Sequence, residues 1–548
     1  QPVPADVAGT TLLDLLPVSL AQLDSVTVQR SPTITGGRLA MHGMLHLHTQ
    51  RRVEGVRASA SHYSGNEAGD PGPFAFTPAA TPNVDNNGPF HQLRLAFGAP
   101  AADVDLALRR WADNLTDVRL RQRYIAAAAP APPHLWVNHL APTARAGFSA
   151  VGARHDVHAG TARTTGTFFV PAPREDQSLA TRLSFVGLSG STRPEAAGSA
   201  PSPGALTAAY RISAASLAMT RDGAMPATLE HVRRQVDGGV TLSRRAGAAR
   251  VTGGVAVTHR SFDDAPAIPA EEAELEGDVH LSVAFDGALA PTIGISAGAG
   301  IAGIRGGGVA SFTHALDPRT RVGLTAAGHM RALGDDGAWI DLALFGLGSL
   351  ASSRRTSLSA AAEWSRLAAG GAHVSVTATG RRELGLRVIG AGRAPRLPAL
   401  LTDASPALSL TNAELGAAVD LPFGGALLGG AAYRFTMPVR GSAEIRDASE
   451  MIPQHLLDAS VTLVPAFDIR VRPALHLASP TRWPAGTPDD DARVPAVTRL
   501  DLSVEKWMFA RRLRLQVIGR NLLNDVERYH PLGADFRLRV FAGATATF

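Results

Sequence analysis

The residues of this chain that could do chemistry are few and widely spaced. His46 and His48 lie two positions apart, so on a strand they share one face and could chelate a metal ion, and His42 lies just before them. The segment RHDVH at 154–158 offers a second group of this kind. No further ligand cluster adjoins either group in sequence, so the favoured interpretation is the polar face of a packed strand, with no cofactor.

Motifs for enzymatic chemistry are missing from the sequence. We find no His-Glu-x-x-His pair and no phosphate-binding loop. The chain has no cysteine, which excludes disulfides and thiol chemistry. The acidic segments 263–276 and 489–491 are interpreted as solvated loops, with a cation site that bridges lipopolysaccharide as the alternative. An enzyme is therefore not expected.

Positive charge in this chain is carried almost entirely by arginine. Lys506 is the only lysine among 53 Lys and Arg residues, and the net charge is +5. The arginines are scattered rather than clustered with aromatic residues, so a nucleic-acid surface is not expected. Six arginines near the C-terminus lie on alternating segments and are candidates for an interior wall: Arg470, Arg472, Arg512, Arg514, Arg537 and Arg539.

Two roles are open for these six arginines. Facing a lumen, they could attract anionic ligands. They could instead form ion pairs with acidic side chains, and this structural role is favoured because Asp and Glu alternate through the same segments. The candidate partners are Asp24, Asp468, Glu505 and Asp535.

A strict two-residue rhythm runs through most of the sequence. The last segment, DFRLRVFAGATATF (535–548), places apolar side chains on one face of a strand and mostly polar ones on the other. More than twenty segments of about ten residues between Arg52 and Phe548 repeat this pattern, which is typical of a membrane barrel. A soluble sandwich is disfavoured, because arginines on its inner face would be buried without partners. The glycine-rich segment 292–312 carries Arg305 and is predicted to form strands rather than a membrane helix.

The connections between these segments alternate in length. Long links such as 392–410 and 521–534 are followed or preceded by tight turns, which we place at 380–382, 465–466 and 508–511. Long loops at one end and short turns at the other are typical of outer-membrane barrels. The length of the chain predicts an all-β, antiparallel transmembrane barrel of about 22 strands. Only 5% of the residues are aromatic, which is few for a barrel with interfacial girdles.

The C-terminal segment resembles that of TonB-dependent receptors. In that family a strand ends in an Asn-Leu-aromatic-Asn pattern, a tyrosine follows, and the chain stops at an aromatic residue. The resemblance implies that the last strand, with its terminal aromatic residue, is read by the outer-membrane insertion machinery. The matching residues are Asn521, Leu522, Leu523, Asn524, Tyr529 and Phe548.

Residues 11–50 resemble the final third of the plug domain of the same family. The positions that keep the family pattern are Val26, Val28, Arg30, Pro32, Gly36, Gly43 and Thr49, whereas Thr27, Ser31 and His42 depart from it. The segment is shorter than a family plug, and no TonB box is present in the sequence. Both features argue against coupling to TonB.

The resemblance implies a division into a truncated plug, 1–50, and an outer-membrane β-barrel, 51–548. The expected function is ligand binding and uptake across the outer membrane of a Gram-negative bacterium. The alternative is a barrel without energy coupling that acts as an anchor, platform or passive pore. The expected partners are outer-membrane lipid and lipopolysaccharide, the insertion machinery and other envelope proteins, with no nucleic acid.

Overall fold

The structure is a computed structural model of the 548-residue chain. It describes residues 22–29, 32–35, 38–41, 44–49, 55–67, 90–99, 101–114, 136–170, 175–192, 206–222, 228–263, 274–287, 289–300, 303–332, 354–386, 408–422, 426–441, 453–465, 467–482, 493–527 and 538–548. No helix among these residues is long and apolar enough to span a membrane.

Almost every described element is a β-strand. The strands are β1 (Leu23–Gln29), β2 (Thr33–Thr35), β3 (Arg38–Ala40), β4 (Met44–Thr49), β5 (Gly55–Glu67), β6 (Phe90–Gly98), β7 (Ala102–Asn114), β8 (Trp136–Ala150), β9 (Ala153–Val170), β10 (Glu175–Ser191), β11 (Leu206–Asp222), β12 (Thr228–Ala246), β13 (Ala249–Asp263), β14 (Glu274–Phe285), β15 (Thr292–Gly300), β16 (Gly303–Asp317), β17 (Thr320–Ala332), β18 (Arg354–Leu367), β19 (His373–Leu386), β20 (Leu408–Pro422), β21 (Leu427–Gly441), β22 (His455–Leu463), β23 (Ile469–Ala478), β24 (Thr481–Arg482), β25 (Arg493–Val494), β26 (Val497–Met508), β27 (Leu513–Arg520) and β28 (Arg539–Thr547).

Strands β5–β23 and β26–β28 form one closed antiparallel barrel of 22 strands. Each barrel strand pairs with the next one along the chain, and β28 pairs with β5 to close the cylinder. At the seam the Ala58 amide donates to the Phe548 carbonyl at 3.0 Å, and the Phe548 amide donates to the Ala58 carbonyl at 2.8 Å. The all-β barrel and its strand number are confirmed.

The two faces of the barrel wall differ as the alternation predicts. On β7, Val104 and Leu106 are exposed on the outside, whereas the intervening Asp103 and Asp105 are buried on the inside. The same contrast recurs around the barrel, with exposed Leu, Val and Ile facing outward. An apolar outer surface of this extent is stable only against lipid, so the protein is a transmembrane β-barrel of the outer membrane.

The connections lie as the alternation of lengths predicts, most regularly after residue 230. Short turns such as 247–248, 318–319 and 509–512 lie at one end of the barrel. Long connections such as 333–353 and 387–407 lie at the other end. Four links depart from this rule: 192–205 is long at the turn end, and 171–174, 223–227 and 301–302 are short at the loop end.

The turn predicted at 380–382 is wrong. β19 runs through this segment, where Gly380 pairs with Ala360 on one side and Ala413 on the other. The actual turn is 368–372, where Gly370 and Gly371 adopt φ of 81° and 84°. Glycine adopts positive φ with little conformational strain, so Gly370 and Gly371 can reverse the chain direction. Gly380, in contrast, lies within an extended strand.

The first four strands form the N-terminal segment (β1–β4), which lies against the inside of the barrel wall. β1 pairs with β4, and β2 pairs with β3. Leu39 and Met41 are buried against Val309 of β16 and Ala327 of β17, and Ile34 packs on the same cluster. These apolar contacts attach the segment to one side of the lumen.

Candidate functional site

The inner face of β6–β9 carries a buried network of ion pairs. Arg94 of β6 donates from Nε and Nη2 to the Asp105 carboxylate of β7, with the closest approach at 2.7 Å. Arg145 of β8 lies 3.3 Å from Asp103 and 2.6 Å from Asp156 of β9. Arg154 also pairs with Asp103. Each buried charge in this network therefore has an opposite charge in contact.

A second network lies on the inner face of β13–β16. Arg305 of β16 contacts Asp278 at 2.7 Å and Glu276 at 2.9 Å, and Arg260 of β13 lies 3.0 Å from Glu276. Asp278 and Arg305 both stand opposite Gly298 of β15 and reach each other across it. A Cβ at this glycine would lie 2.2 Å from Asp278 Oδ1, so only glycine leaves room for the pair.

These networks make one side of the lumen a rigid, charge-neutralised wall. Glu276 and Asp105 are among the largest fully buried side chains in the described residues. Removing one partner of a buried pair leaves the other charge buried without an opposite charge, which costs about 3–5 kcal/mol of stability. The charged atoms of these side chains contact each other, so the networks do not form an open anion site.

The N-terminal segment contacts the lumen wall at two places. Its apolar side lies where inward-facing glycines of the wall allow close approach: a Cβ at Gly294 would lie 2.7 Å from Ile34 Cδ1, and one at Gly307 would lie 2.8 Å from Leu39 Cδ2. At the second place, the Thr143 hydroxyl of β8 donates to the buried Gln22 Oε1 at 3.0 Å. Both contacts hold the segment on the β6–β17 part of the wall.

The wall formed by β20–β23 is different, because its inward charged side chains are open to solvent. Asp458 of β22 has 58% of its side chain exposed and accepts a hydrogen bond from His476 Nδ1 at 2.6 Å. Arg434 of β21 and Arg472 of β23 are also exposed, at positions that alternate with the outward apolar residues. Among the described residues, this open wall therefore presents charged side chains to solvent inside the barrel.

The six candidate arginines do not act as one group. Arg470 is half exposed on β23, 3.7 Å from Glu505. Arg514 of β27 lies 3.9 Å from the same carboxylate and donates to the Tyr63 hydroxyl at 2.9 Å. The other four are placed as follows: Arg472 is exposed on β23, Arg512 lies in the turn 509–512, Arg539 begins β28, and Arg537 lies outside the described residues.

Of the predicted acidic partners, Glu505 contacts candidate arginines, whereas Asp468 pairs with Arg511 at 3.2 Å in the neighbouring turns. Asp24 is exposed on β1, and Asp535 lies outside the described residues.

The C-terminal asparagine motif forms a turn at the end of β27. Asn521 and Asn524 both adopt φ of 56°, and the Asn524 amide donates to the Asn521 carbonyl at 2.8 Å. Asparagine tolerates this left-handed conformation better than other side chains, which explains its presence at both positions. Asn521 Nδ2 donates to the Asp525 carbonyl at 2.7 Å, while the exposed Leu522 donates its amide to the Leu500 carbonyl. Tyr529 lies outside the described residues.

The predicted plug positions are only partly covered by the structure. Pro32 is buried directly before β2, and Thr49 ends β4 opposite Leu23. Arg30, Gly36 and Gly43 lie outside the described residues.

The histidine groups do not converge on one point. His46 lies on β4, His42 lies outside the described residues, and His48 is exposed, with Nε2 3.2 Å from Thr27 Oγ1. His155 faces outward beside Tyr210, whereas Asp156 faces inward to Arg145. Within the described residues no group of three or more His, Asp or Glu side chains could hold a metal ion.

Sequence reasoning missed the two buried networks. The signal was present in ADVDLAL, where Asp103 and Asp105 alternate with outward apolar residues. The alternation assigns these aspartates to the inner face, but it does not identify Arg94 and Arg145 as their partners. That pairing depends on strand register, which we did not predict.

Comparison with known proteins identifies the fold. No protein-family model matches the chain, and no curated protein matches it. A point mutant of the ferric enterobactin receptor PfeA of Pseudomonas aeruginosa aligns with a TM-score of 0.72 and 10% identity, over 97% of this chain and 86% of the receptor.

Two further solved structures match over similar lengths. The siderophore receptor PirA of Acinetobacter baumannii aligns with a TM-score of 0.70 and 9% identity, over 100% of this chain and 90% of that receptor. The copper transporter OprC aligns with a TM-score of 0.71 and 10% identity, over 100% and 89%. The chain therefore has the fold of the TonB-dependent receptors that its terminal motifs resemble.

Proposed function

We propose that this protein takes up a ligand across the outer membrane, with residues 1–50 as a short plug and 51–548 as the barrel. The observation that carries the proposal is a closed 22-strand barrel with an N-terminal segment seated inside its lumen. The receptors and the copper transporter with the same fold support ligand uptake as the general activity. Siderophore-bound iron and copper are the probes that these neighbours suggest.

Uptake is tested in an outer-membrane receptor-deficient strain that expresses the chain. Radioactive iron bound to a catecholate siderophore, and radioactive copper, are supplied separately. Accumulation of either probe above the empty-vector strain supports uptake. Accumulation of neither, with the protein correctly inserted, contradicts uptake of these two ligand classes.

A passive pore is a second candidate function, favoured by the exposure of the β20–β23 wall. Asp458, Arg434 and Arg472 reach solvent inside the barrel while the facing networks are buried. In this version the N-terminal segment stays bound to the β14–β17 wall and water passes on the other side. Purified protein in planar bilayers is then expected to conduct ions steadily without an energy source, and electrically silent bilayers would argue against it.

A further inference from the structure

The outer surface of β5–β9 carries an open apolar groove of about 800 Å³, here called the outer groove. Small side chains line it on β5, β8 and β9, and the larger leucines of β6 and β7 lie between them. Its outward-facing lining residues are Ala58, Ala60, Leu93, Leu95, Leu106, Leu108, Pro142, Ala144, Ala159, Thr161 and Phe548. This shape gives a hydrocarbon chain more contact than a smooth barrel wall does.

Basic side chains stand at the loop-side end of the outer groove. On β7 the next outward residue after Leu108 is Arg110, and on β9 the next after Thr161 is Arg163. The next outward positions toward the loop side on β5 and β6 hold His62 and His91. Together with a neighbouring arginine on β10, these residues form the basic row: His62, His91, Arg110, Arg163 and Arg182.

The register places the basic row across neighbouring strands, with Leu140 of β8 between Arg110 and Arg163. Arg163 is directly opposite Arg182, and Arg110 is directly opposite His91. His62 and His91 have ring centroids 4.7 Å apart. Like charges directly opposite on a sheet repel each other, so the Arg163–Arg182 pair destabilises the bare barrel.

Within the described strands, no carboxylate lies beside the three arginines. The positions opposite and diagonal to Arg110, Arg163 and Arg182 in the register of the described strands hold neither Asp nor Glu. All three side chains are exposed. An exposed group of guanidinium ions without a counter-charge favours a phosphate, which accepts several of their hydrogen bonds at once.

The outer groove and the basic row adjoin each other on the same strands. Two residues along a strand span about 7 Å, so an anion on the row lies within reach of a chain in the groove. We propose that together they bind a lipid of the outer leaflet through its headgroup phosphate and one acyl chain. This proposal depends on the outer-membrane placement of the barrel with its long loops outside, and not on ligand uptake.

Native mass spectrometry in detergent tests the proposal with diphosphorylated lipid A as the probe. The variant R110Q/R163Q/R182Q is compared with the wild type and with R382Q, which removes an outward arginine at the loop side of β19, away from the outer groove. Three lost contacts are expected to lower lipid A retention about tenfold or more in the triple variant. R382Q is expected to retain lipid A as the wild type does.

Further variants and competing ligands distinguish a lipid site from a site for a free anion. R110K/R163K/R182K keeps the charge and is expected to retain lipid A, which ties the loss in the glutamine variant to the missing positive charge. The proposal would be overturned if the glutamine variant retained lipid A as well as the wild type does. It would also be overturned if the wild type retained dephosphorylated lipid A as well as lipid A. So would complete displacement by millimolar inorganic phosphate, because a free anion site does not need the acyl chain. Uptake and conductance are measured separately and do not enter this result.

Discussion

Gly294 lies on the inner face of β15, where the N-terminal segment comes closest to the wall. A Cβ there would lie 2.7 Å from Ile34 Cδ1, with its next neighbours at 3.3 Å and 3.5 Å. An alanine is a weak test, because the tip of Ile34 can rotate away from one methyl group. Gly294→Phe leaves no such escape and is expected to displace the segment from the wall.

The expected loss of docking free energy in Gly294→Phe is set by the contact that Ile34 makes with the wall. Burying an isoleucine side chain fully contributes about 1.5–3 kcal/mol, and Ile34 is only partly buried, so the docking free energy should fall by about 1–2 kcal/mol. This corresponds to roughly a 5- to 30-fold shift towards the detached state. The barrel should remain closed, since its ladder does not involve Ile34.

Single-channel recording and limited proteolysis measure this shift. Gly294→Phe is expected to raise the mean conductance and to speed cleavage within residues 1–50. Gly308→Phe is the matched control, because Gly308 faces outward on β16 beside Ile295 and lies away from the segment. If Gly294→Phe behaves like Gly308→Phe in both assays, the segment is not held by this contact and the reasoning fails.

Two further predictions concern the stability of the barrel. Gly298→Ala should displace the Asp278–Arg305 pair and lower the free energy of unfolding by about 2–4 kcal/mol, measured by urea titration in detergent. The control is Gly277→Ala, because a Cβ at Gly277 would have no atom within 4 Å. It should lower the free energy of unfolding much less. A similar loss in both variants would show that the pair does not need the glycine. Asn524→Ala should cost about 1–2 kcal/mol because of its φ of 56°, and Asn524→Gly should cost less; the reverse order would contradict the conformational explanation.

The sequence predicted the barrel because its signal is local and repeated. Alternation along segments such as 535–548 assigns each side chain to a face, and the chain length then limits the number of strands. Lumen contacts are not local. Arg94 meets Asp105 through pairing of β6 with β7, and Ile34 meets Gly294 across a large separation in sequence, so neither contact follows from a pattern.

The predicted turn at 380–382 shows that a local signal can also give a wrong prediction. Glycine beside two arginines is typical of a turn, but the alternation continues through Gly380, with Arg381 and Glu383 on the inner face. The asparagine motif was recognised by resemblance alone. Its physical reason, two left-handed residues in one turn, became evident only from the backbone angles.

Cysteine modification in planar bilayers tests most directly whether the lumen is open along β20–β23. The chain has no native cysteine, so a single introduced thiol reports its own surroundings. Arg434→Cys lies on the open wall, and Ser296→Cys lies on the inner face of β15, where the wall is buried. An anionic thiosulfonate reagent should reduce the current through Arg434→Cys and leave Ser296→Cys unchanged. No change at Arg434→Cys, or an equal block at both positions, would contradict an open path on this side of the lumen.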